Sequence, residues 1–281
     1  MELTSPKTIK ELLAKYETRP SKGLGQNFLI DKNVLEKIIE SAEIKPSDVV
    51  LEVGPGIGTL TQKLAERAGK VIAIEKDKKM IEVLKETMSG LKNVEVINAD
   101  VLSHKLKVTS YKVVANIPYY LTSPLIRKFL EEKNPPQEIV LMVQKEVAKR
   151  ICSKPPRMSL LSVSVQFYAQ PKIISYVSKN CFLPAPKVDS AIIKIVPGGQ
   201  TSRPTESLVS PDLFFKIVKA GFSQPRKQLV NNLTGLKSLN GVKLTKEKVS
   251  QWLLENNIKP SQRAETLDIS DWIKLTKFFN I

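Results

Sequence analysis

The chain has 281 residues, 42% of them apolar, enough for one large domain plus a small one with a real core. Its 44 Lys and Arg against 28 Asp and Glu leave a net charge of +16, which favours a polyanionic partner, nucleic acid ahead of a membrane surface, with a Lys-rich solubilising surface as the plain alternative. The two cysteines, Cys152 and Cys181, form no CxxC pattern and read as packing residues in a reduced compartment, and with His104 the only histidine, histidine-based triads and multi-histidine metal sites are all but excluded. No metal is expected.

The first twenty residues carry acidic side chains and lack an apolar h-region, so they do not read as a secretory signal. No stretch approaches eighteen uncharged apolar residues, and a cytoplasmic, monomeric protein is predicted. The spacing of "VLEKIIESAEI" (34–44) predicts a helix ending before Pro46, and the β-branched run "DVVLEVG" (48–54) predicts a buried parallel strand. The pattern then repeats: helix from 59, strand "KVIAIEKD", helix from 78, strand "VEVINAD", strand "YKVVAN", helix "PLIRKFLEE", strand "EIVLMVQ". Such alternation predicts an α/β, Rossmann-like doubly wound sheet, with ligands at the carboxyl ends of the strands. Further on, "LSVSVQFYA" reads as helix or strand, and "KIISYV" and "SAIIKIVP" as two closing strands. The Pro, Gly and Ser-rich stretch 197–211 reads as a linker between a domain over 1–196 and a small helical domain over 212–281.

Between the first strand and its helix, "LEVGPGIGTLT" places Glu52 just ahead of Gly54, Gly56 and Gly58. Glycines let the backbone adopt positive φ and approach a ligand closely, but they also suit any tight strand-to-helix turn. Glu75 ends the next strand, where a carboxylate can accept hydrogen bonds from both ribose hydroxyls. A nicotinamide dinucleotide would satisfy that too. Glu52 discriminates, because a carboxylate inside the turn repels pyrophosphate and suits a ligand bearing an ammonium and a sulfonium, as S-adenosylmethionine does. Asp100 ends the third strand within reach of an adenine amino group, with Val101 beside the ring; a turn Asp is the alternative reading.

The fourth strand ends in "NIPYY" (116–120). Methylating an exocyclic amine such as adenine N6 is difficult because its lone pair is delocalised into the ring. The Asn116 carbonyl and a neighbouring backbone carbonyl can each accept one amine hydrogen and favour a pyramidal nitrogen without any ionisable base. Pro118 has no N–H, so the Ile117 carbonyl can face a ligand, and Tyr119 offers a flat face for a base. Tyr120 reads as packing. Phe182, in "NCFLPAPKVDSA" (180–191), could stack on the other face of an extruded base or else start a β-hairpin as a core residue.

"LGQNFL" (24–29), "EVGPGIGTLT", "IEKD", "NAD", "NIPYY" and "FLPAPKVDS" together resemble the ribosomal-RNA adenine dimethyltransferases of the kasugamycin-sensitivity type, over residues 20 to 281. The resemblance implies transfer of four methyls from S-adenosylmethionine to N6 of two adjacent adenines near the 3′ end of small-subunit ribosomal RNA. It implies that Gln26, Asn27 and Leu29 close over the cofactor, that Gly54, Glu75, Asp100 and Asn116 touch it, and that Asn116, Tyr119 and Phe182 face the base. The macrolide-resistance enzymes share the catalytic motifs but act on large-subunit RNA; "GFSQPRKQLVNNL" (221–233) and "RAETLDISDW" (263–272) favour the small-subunit type. Pro225 and Val230 stand where that family often has basic residues, and 154–163 is shorter than its usual loop. Lys22, Arg226 and Lys227 are the candidate RNA contacts, and a non-catalytic ribosome-assembly factor is the alternative from another class.

Overall fold

The structure, a computed structural model, describes residues 1–21, 23–198, 209–239 and 241–279. It packs as two compact units, Met1–Ala148 with Lys172–Pro197, and Lys149–Pro171 with Gly198–Ile281.

The first unit begins with α1 (Pro6–Lys15), the two-residue strand β1 (Phe28–Leu29) and α2 (Lys32–Ser41), whose apolar stripe Leu35, Ile38 and Ile39 is buried. Asp31 caps α2, its carboxylate accepting from the Val34 N–H at 3.0 Å, which satisfies one of the donors a helix start leaves open. Then come β2 (Val49–Val53), α3 (Thr59–Ala65), β3 (Lys70–Glu75), α4 (Lys78–Thr87), β4 (Val94–Asn98), β5 (Lys112–Asn116), α5 (Thr122–Glu131), β6 (Ile139–Gln144) and α6 (Lys145–Ile151). The helix α7 (Leu160–Tyr168) leads into β7 (Ala169–Val177), followed by β8 (Phe182–Leu183) and β9 (Ser190–Pro197). "LSVSVQFYA" is therefore helical, and Ser159 and Ser162 close a capping box at its start.

Seven strands form one sheet in the order β4-β3-β2-β5-β6-β9-β7. Pairing from β4 to β6 is parallel, and β9 returns antiparallel beside β6. Strands buried on both faces read as near-continuous apolar runs, as β6 does up to Gln144 and β2 does apart from Glu52. The chain winds from β2 outward to β4 and resumes on the other side at β5, so the carboxyl ends of β2 and β5 flank the reversal point where doubly wound sheets bind ligands. Gly58, at φ +90°, starts α3 where a Cβ would stand 2.5 Å from Met88 Cε, so a side chain there would be both strained and crowded. At the opposite end of the sheet, Lys112 Nζ donates to the Ala42 and Glu43 carbonyls at 2.9 and 2.8 Å and pairs with Asp48 and Glu138 at 3.2 Å.

The second unit holds α8 (Pro211–Gly221), α9 (Leu229–Thr234), the short pair β10 (Ser238–Leu239) and β11 (Val242–Lys243), α10 (Lys246–Glu255) and α11 (Ile269–Lys277) around Trp252, Trp272 and Phe214. The division differs from the expected one. Residues 149–171, α7 and the first three residues of β7 among them, cluster with this unit, where Phe167 on α7 stacks on Phe214 of α8 at 4.1 Å between ring centroids. Of the expected linker, 199–208 lies outside the described residues. Among the described residues no helix is long and apolar enough to cross a membrane, and no group of three acidic, histidine or cysteine side chains is arranged for a metal.

Candidate active site

A cleft enclosing about 1180 Å³ of open space, part of it continuous with solvent, lies at the carboxyl ends of β2, β3 and β5. Every residue expected to touch the cofactor or the base lines it: Glu52, Gly54 and Gly56 from the β2 turn, Glu75 from β3, Asp100 and Val101 beyond β4, Asn116 and Tyr119 from the β5 end, Gln26, Asn27 and Leu29 from the N-terminal segment, and Phe182 from β8. The N-terminal segment reaches the cleft because β1 pairs antiparallel with β8, setting Leu29 opposite Phe182 and Phe28 opposite Leu183. Two partners more than 150 residues apart in sequence thus form one wall, which local sequence pattern cannot reveal.

The turn after β2 runs through glycines at φ +66° (Gly54) and +59° (Gly56), and a Cβ on Gly56 would stand 3.1 Å from the Phe28 ring. The Gly56 N–H donates to Glu75 Oε2 at 3.1 Å and the Asp77 N–H to Glu75 Oε1 at 2.8 Å, so both carboxyl oxygens are fixed before any ligand arrives. Burial pushes the Glu75 carboxyl above the usual carboxylate range, against those two N–H groups. Gln26 bridges the N-terminal segment to the end of β3, its Nε2 donating to Asp77 Oδ2 at 2.9 Å, while its Oε1 accepts from the Ser21 N–H.

Glu52 is the more unusual acid. It is 1% exposed, Oε2 has no hydrogen-bond partner, and burial pushes the carboxyl up to about 8; the Thr61 hydroxyl opposes the shift without reaching hydrogen-bond geometry, and Glu75 adds to it. A buried, unpartnered acid lining a cleft is held as a neutral carboxyl until a cation compensates it. The residues present therefore fit a nucleoside with a cationic tail: hydroxyl-accepting oxygens at Glu75, glycine backbone for close approach, and an uncompensated acid at Glu52. Asp100 sits in a turn at the cleft wall, accepting from the Leu102 N–H at 2.9 Å and pairing with Lys76 Nζ at 2.8 Å, which holds its carboxyl below the usual range.

At the β5 end, Asn116 Nδ2 donates to the main-chain carbonyl of Asn27 at 3.2 Å. This fixes the amide and leaves Oδ1 without a protein donor among the described residues, ready to accept from an incoming amine. A Cβ on Gly25, at φ +61°, would lie 3.2 Å from Pro118 Cβ, so the N-terminal loop rests directly on this strand end and needs glycine to do so. Tyr119 opens a single 3-10 turn, its hydroxyl shares a 2.7 Å hydrogen bond with Ser190 Oγ, and burial keeps it a neutral phenol. Tyr120, expected to pack, is 56% exposed.

Phe182 is at once a cleft residue and a core residue. It is only 3% exposed and packs in the core with Leu29, Leu35 and Ile38, because the β1–β8 pairing closes over it. The ring nevertheless lines the cleft from β8. Ser190 and Gly25, which position Tyr119 and the N-terminal loop, escaped the sequence reading; Gly25 had a local signal in its Gly-rich loop, Ser190 none. Arg226 and Lys227 are exposed on the turn between α8 and α9, and Lys22 lies outside the described residues. His104 is a half-buried loop residue apart from the cleft.

A family model for "Ribosomal RNA adenine dimethylase" matches residues 5–275. The chain is 45% identical to ribosomal RNA small subunit methyltransferase A of Alkaliphilus oremlandii, over 96% of this chain and 95% of that one. Among solved structures it is similar to a dimethyladenosine transferase from Plasmodium falciparum (TM-score 0.76, 32% identity, 90% of this chain and 97% of that one) and to the 23S rRNA methyltransferase ErmE (TM-score 0.71, 28% identity, 89% and 98%). A full-length match joined to a strand-end cleft with an amide at its floor leaves one assignment: the chain belongs to the ribosomal RNA adenine dimethylase family, whose members are methyltransferases.

Proposed function

We propose that the protein transfers methyl groups from S-adenosylmethionine to N6 of two adjacent adenines near the 3′ end of small-subunit ribosomal RNA, during ribosome biogenesis and as a monomer in the cytoplasm. The observation that carries the reading is the Asn116 amide, fixed by the Asn27 carbonyl with Oδ1 left to accept, at the floor of a cleft walled by three strand-end acids. When bound, the cofactor supplies an electrophilic methyl on a sulfonium. Glu75 accepts from the ribose hydroxyls through oxygens already oriented by Gly56 and Asp77, Glu52 ionises to balance the cationic tail, and Asp100 with Val101 holds the adenine. Asn116 Oδ1 accepts one hydrogen of the target amine and the Ile117 carbonyl the other, holding the nitrogen lone pair out of conjugation. No side chain serves as base: the nitrogen becomes a strong acid once methylated and passes its proton to solvent, consistent with the neutral phenol of Tyr119, whose ring instead supports the extruded adenine for roughly 1–3 kcal/mol of stacking. Sequence likeness near 45% to a small-subunit enzyme supports that substrate over large-subunit RNA.

The test is methyl incorporation from labelled S-adenosylmethionine into unmodified small-subunit particles and into large-subunit RNA, with the modified bases mapped. Dimethyladenine at two adjacent small-subunit positions is expected. Label confined to large-subunit RNA, or absent from both, overturns the reading.

A further inference from the structure

One strand beyond Asn116, the end of β6 opens a second, shallow cleft lined by Lys145, Lys179, Lys187, Glu146, Val188 and Asp189. Resting on the function proposed above, we infer that this cleft grips the phosphodiester backbone of the RNA strand that delivers the target adenine, with Lys179 and Lys187 as the phosphate contacts.

The two clefts share one dipeptide. Asp189 receives the main-chain N–H of Lys145 on its carbonyl at 3.0 Å and that of Lys179 on Oδ1 at 3.2 Å, fixing the backbone of two of the three lysines. Ser190, the next residue, shares the 2.7 Å hydrogen bond with the Tyr119 hydroxyl. The ring proposed to carry the base and Lys179, proposed to carry a phosphate, are thus tied to adjacent residues of one segment, which begins two residues after Lys187 and which the β6–β9 register anchors at Gln144 opposite Ser190. The charge balance is local as well. Asp189 Oδ2 is countered by Lys145 Nζ at 3.5 Å, and that ammonium also sits 5.3 Å from the centre of the Tyr176 ring. Lys179 and Lys187 are exposed and make no ion pair among the described residues, so their charge is available to a ligand. Tyr176, 53% exposed on β7 and touched by the Lys145 ammonium, sets a flat aromatic next to the cleft's cations, the mixture that single-stranded nucleic acid binds. An acidic protein segment would need neither the aromatic face nor a link to the base platform, and RNA is the occupant that uses both.

The experiment compares wild type with the double variant Lys179→Gln/Lys187→Gln, and with Lys179→Arg/Lys187→Arg, in binding to a 3′-terminal fragment of small-subunit ribosomal RNA and to unmodified small-subunit particles, across a salt series at fixed magnesium. Each phosphate contact on a single strand contributes about 0.7 to the slope of log K against log salt, so the glutamine variant should flatten the slope by about 1.4 on both probes and the arginine variant should restore it. Losing contacts made equally before and during reaction raises KM without lowering kcat, so the particle KM of the glutamine variant should rise at unchanged kcat, with cofactor affinity and Tm as in wild type. Equal slopes for wild type and the glutamine variant overturn the inference. So does a loss confined to particles, which would place a protein there, or a fall in kcat with unchanged slope. Methyl incorporation by the wild type tests the proposed function separately, since the slope on the RNA fragment is read without catalysis.

Discussion

Replacing Glu52 with Gln should remove a pH-dependent cost of folding. The carboxyl is 1% exposed, with Oε2 unpartnered, and burial pushes it from 4.5 to about 8. Below about pH 4.5 the native and unfolded chains both hold this proton, and nothing is lost. Between there and pH 8 the native chain holds a proton that the unfolded chain has released, so stability falls as pH rises, and above about 8 the penalty is complete. At about 1.4 kcal/mol for each tenfold change in proton affinity, the full penalty is about 5 kcal/mol. Gln fills the same space and does not titrate. Urea unfolding of wild type and Glu52→Gln at pH 5, 6, 7 and 8 should therefore show the variant gaining on wild type by about 4 kcal/mol across the series. A cationic ligand reverses the preference, because it stabilises the ionised acid. S-adenosylmethionine binding at pH 7 should release a proton in wild type and not in the variant, read by calorimetry in two buffers of different ionisation enthalpy. Parallel stability curves for the two proteins would refute the idea that Glu52 is stored as a neutral acid.

Asn116→Ala should lower the single-turnover methylation rate about 10²–10³-fold while cofactor affinity stays within a few-fold, since the amide acts on the amine and not on the nucleoside; an unchanged rate would remove its assigned role. Glu75→Ala, which also strands the Gly56 and Asp77 N–H groups, should weaken S-adenosylmethionine binding, and an unaltered Kd would show that the strand-end acid does not meet the ribose. Lys112→Met strips the buried counter-charge from Asp48 and leaves Glu138 only Lys194, far from the cleft, so unfolding free energy should drop by about 3–5 kcal/mol with cofactor affinity of the remaining folded protein intact. Gly58→Ala should lower Tm by several degrees from φ strain and the Met88 clash, with a Tm equal to wild type arguing that α3 shifts freely.

The parallel sheet was legible because its strands announce themselves locally: "VVLEV" and "IVLMVQ" are buried on both faces, so their runs are apolar but for Glu52 and the terminal Gln144, and glycines, acids or amides mark where the strands stop. Strand-end acids and the "NIPYY" amide were likewise readable, since each belongs to a contiguous motif whose chemistry follows from its own residues. What the sequence could not decide are features that depend on partners distant along the chain. Phe182 reads equally as a stacking wall or a core residue until the pairing of β1 with β8 buries it at the edge of the cleft, and Tyr119 reads as a free platform until β9 brings Ser190 to its hydroxyl. Residues 149–171 read as a continuation of the sheet domain until Phe167 meets Phe214. Even Glu52, chosen from sequence for its negative charge, is a neutral acid in the folded chain, because charge state follows the dielectric and the neighbours, and only tertiary packing supplies those.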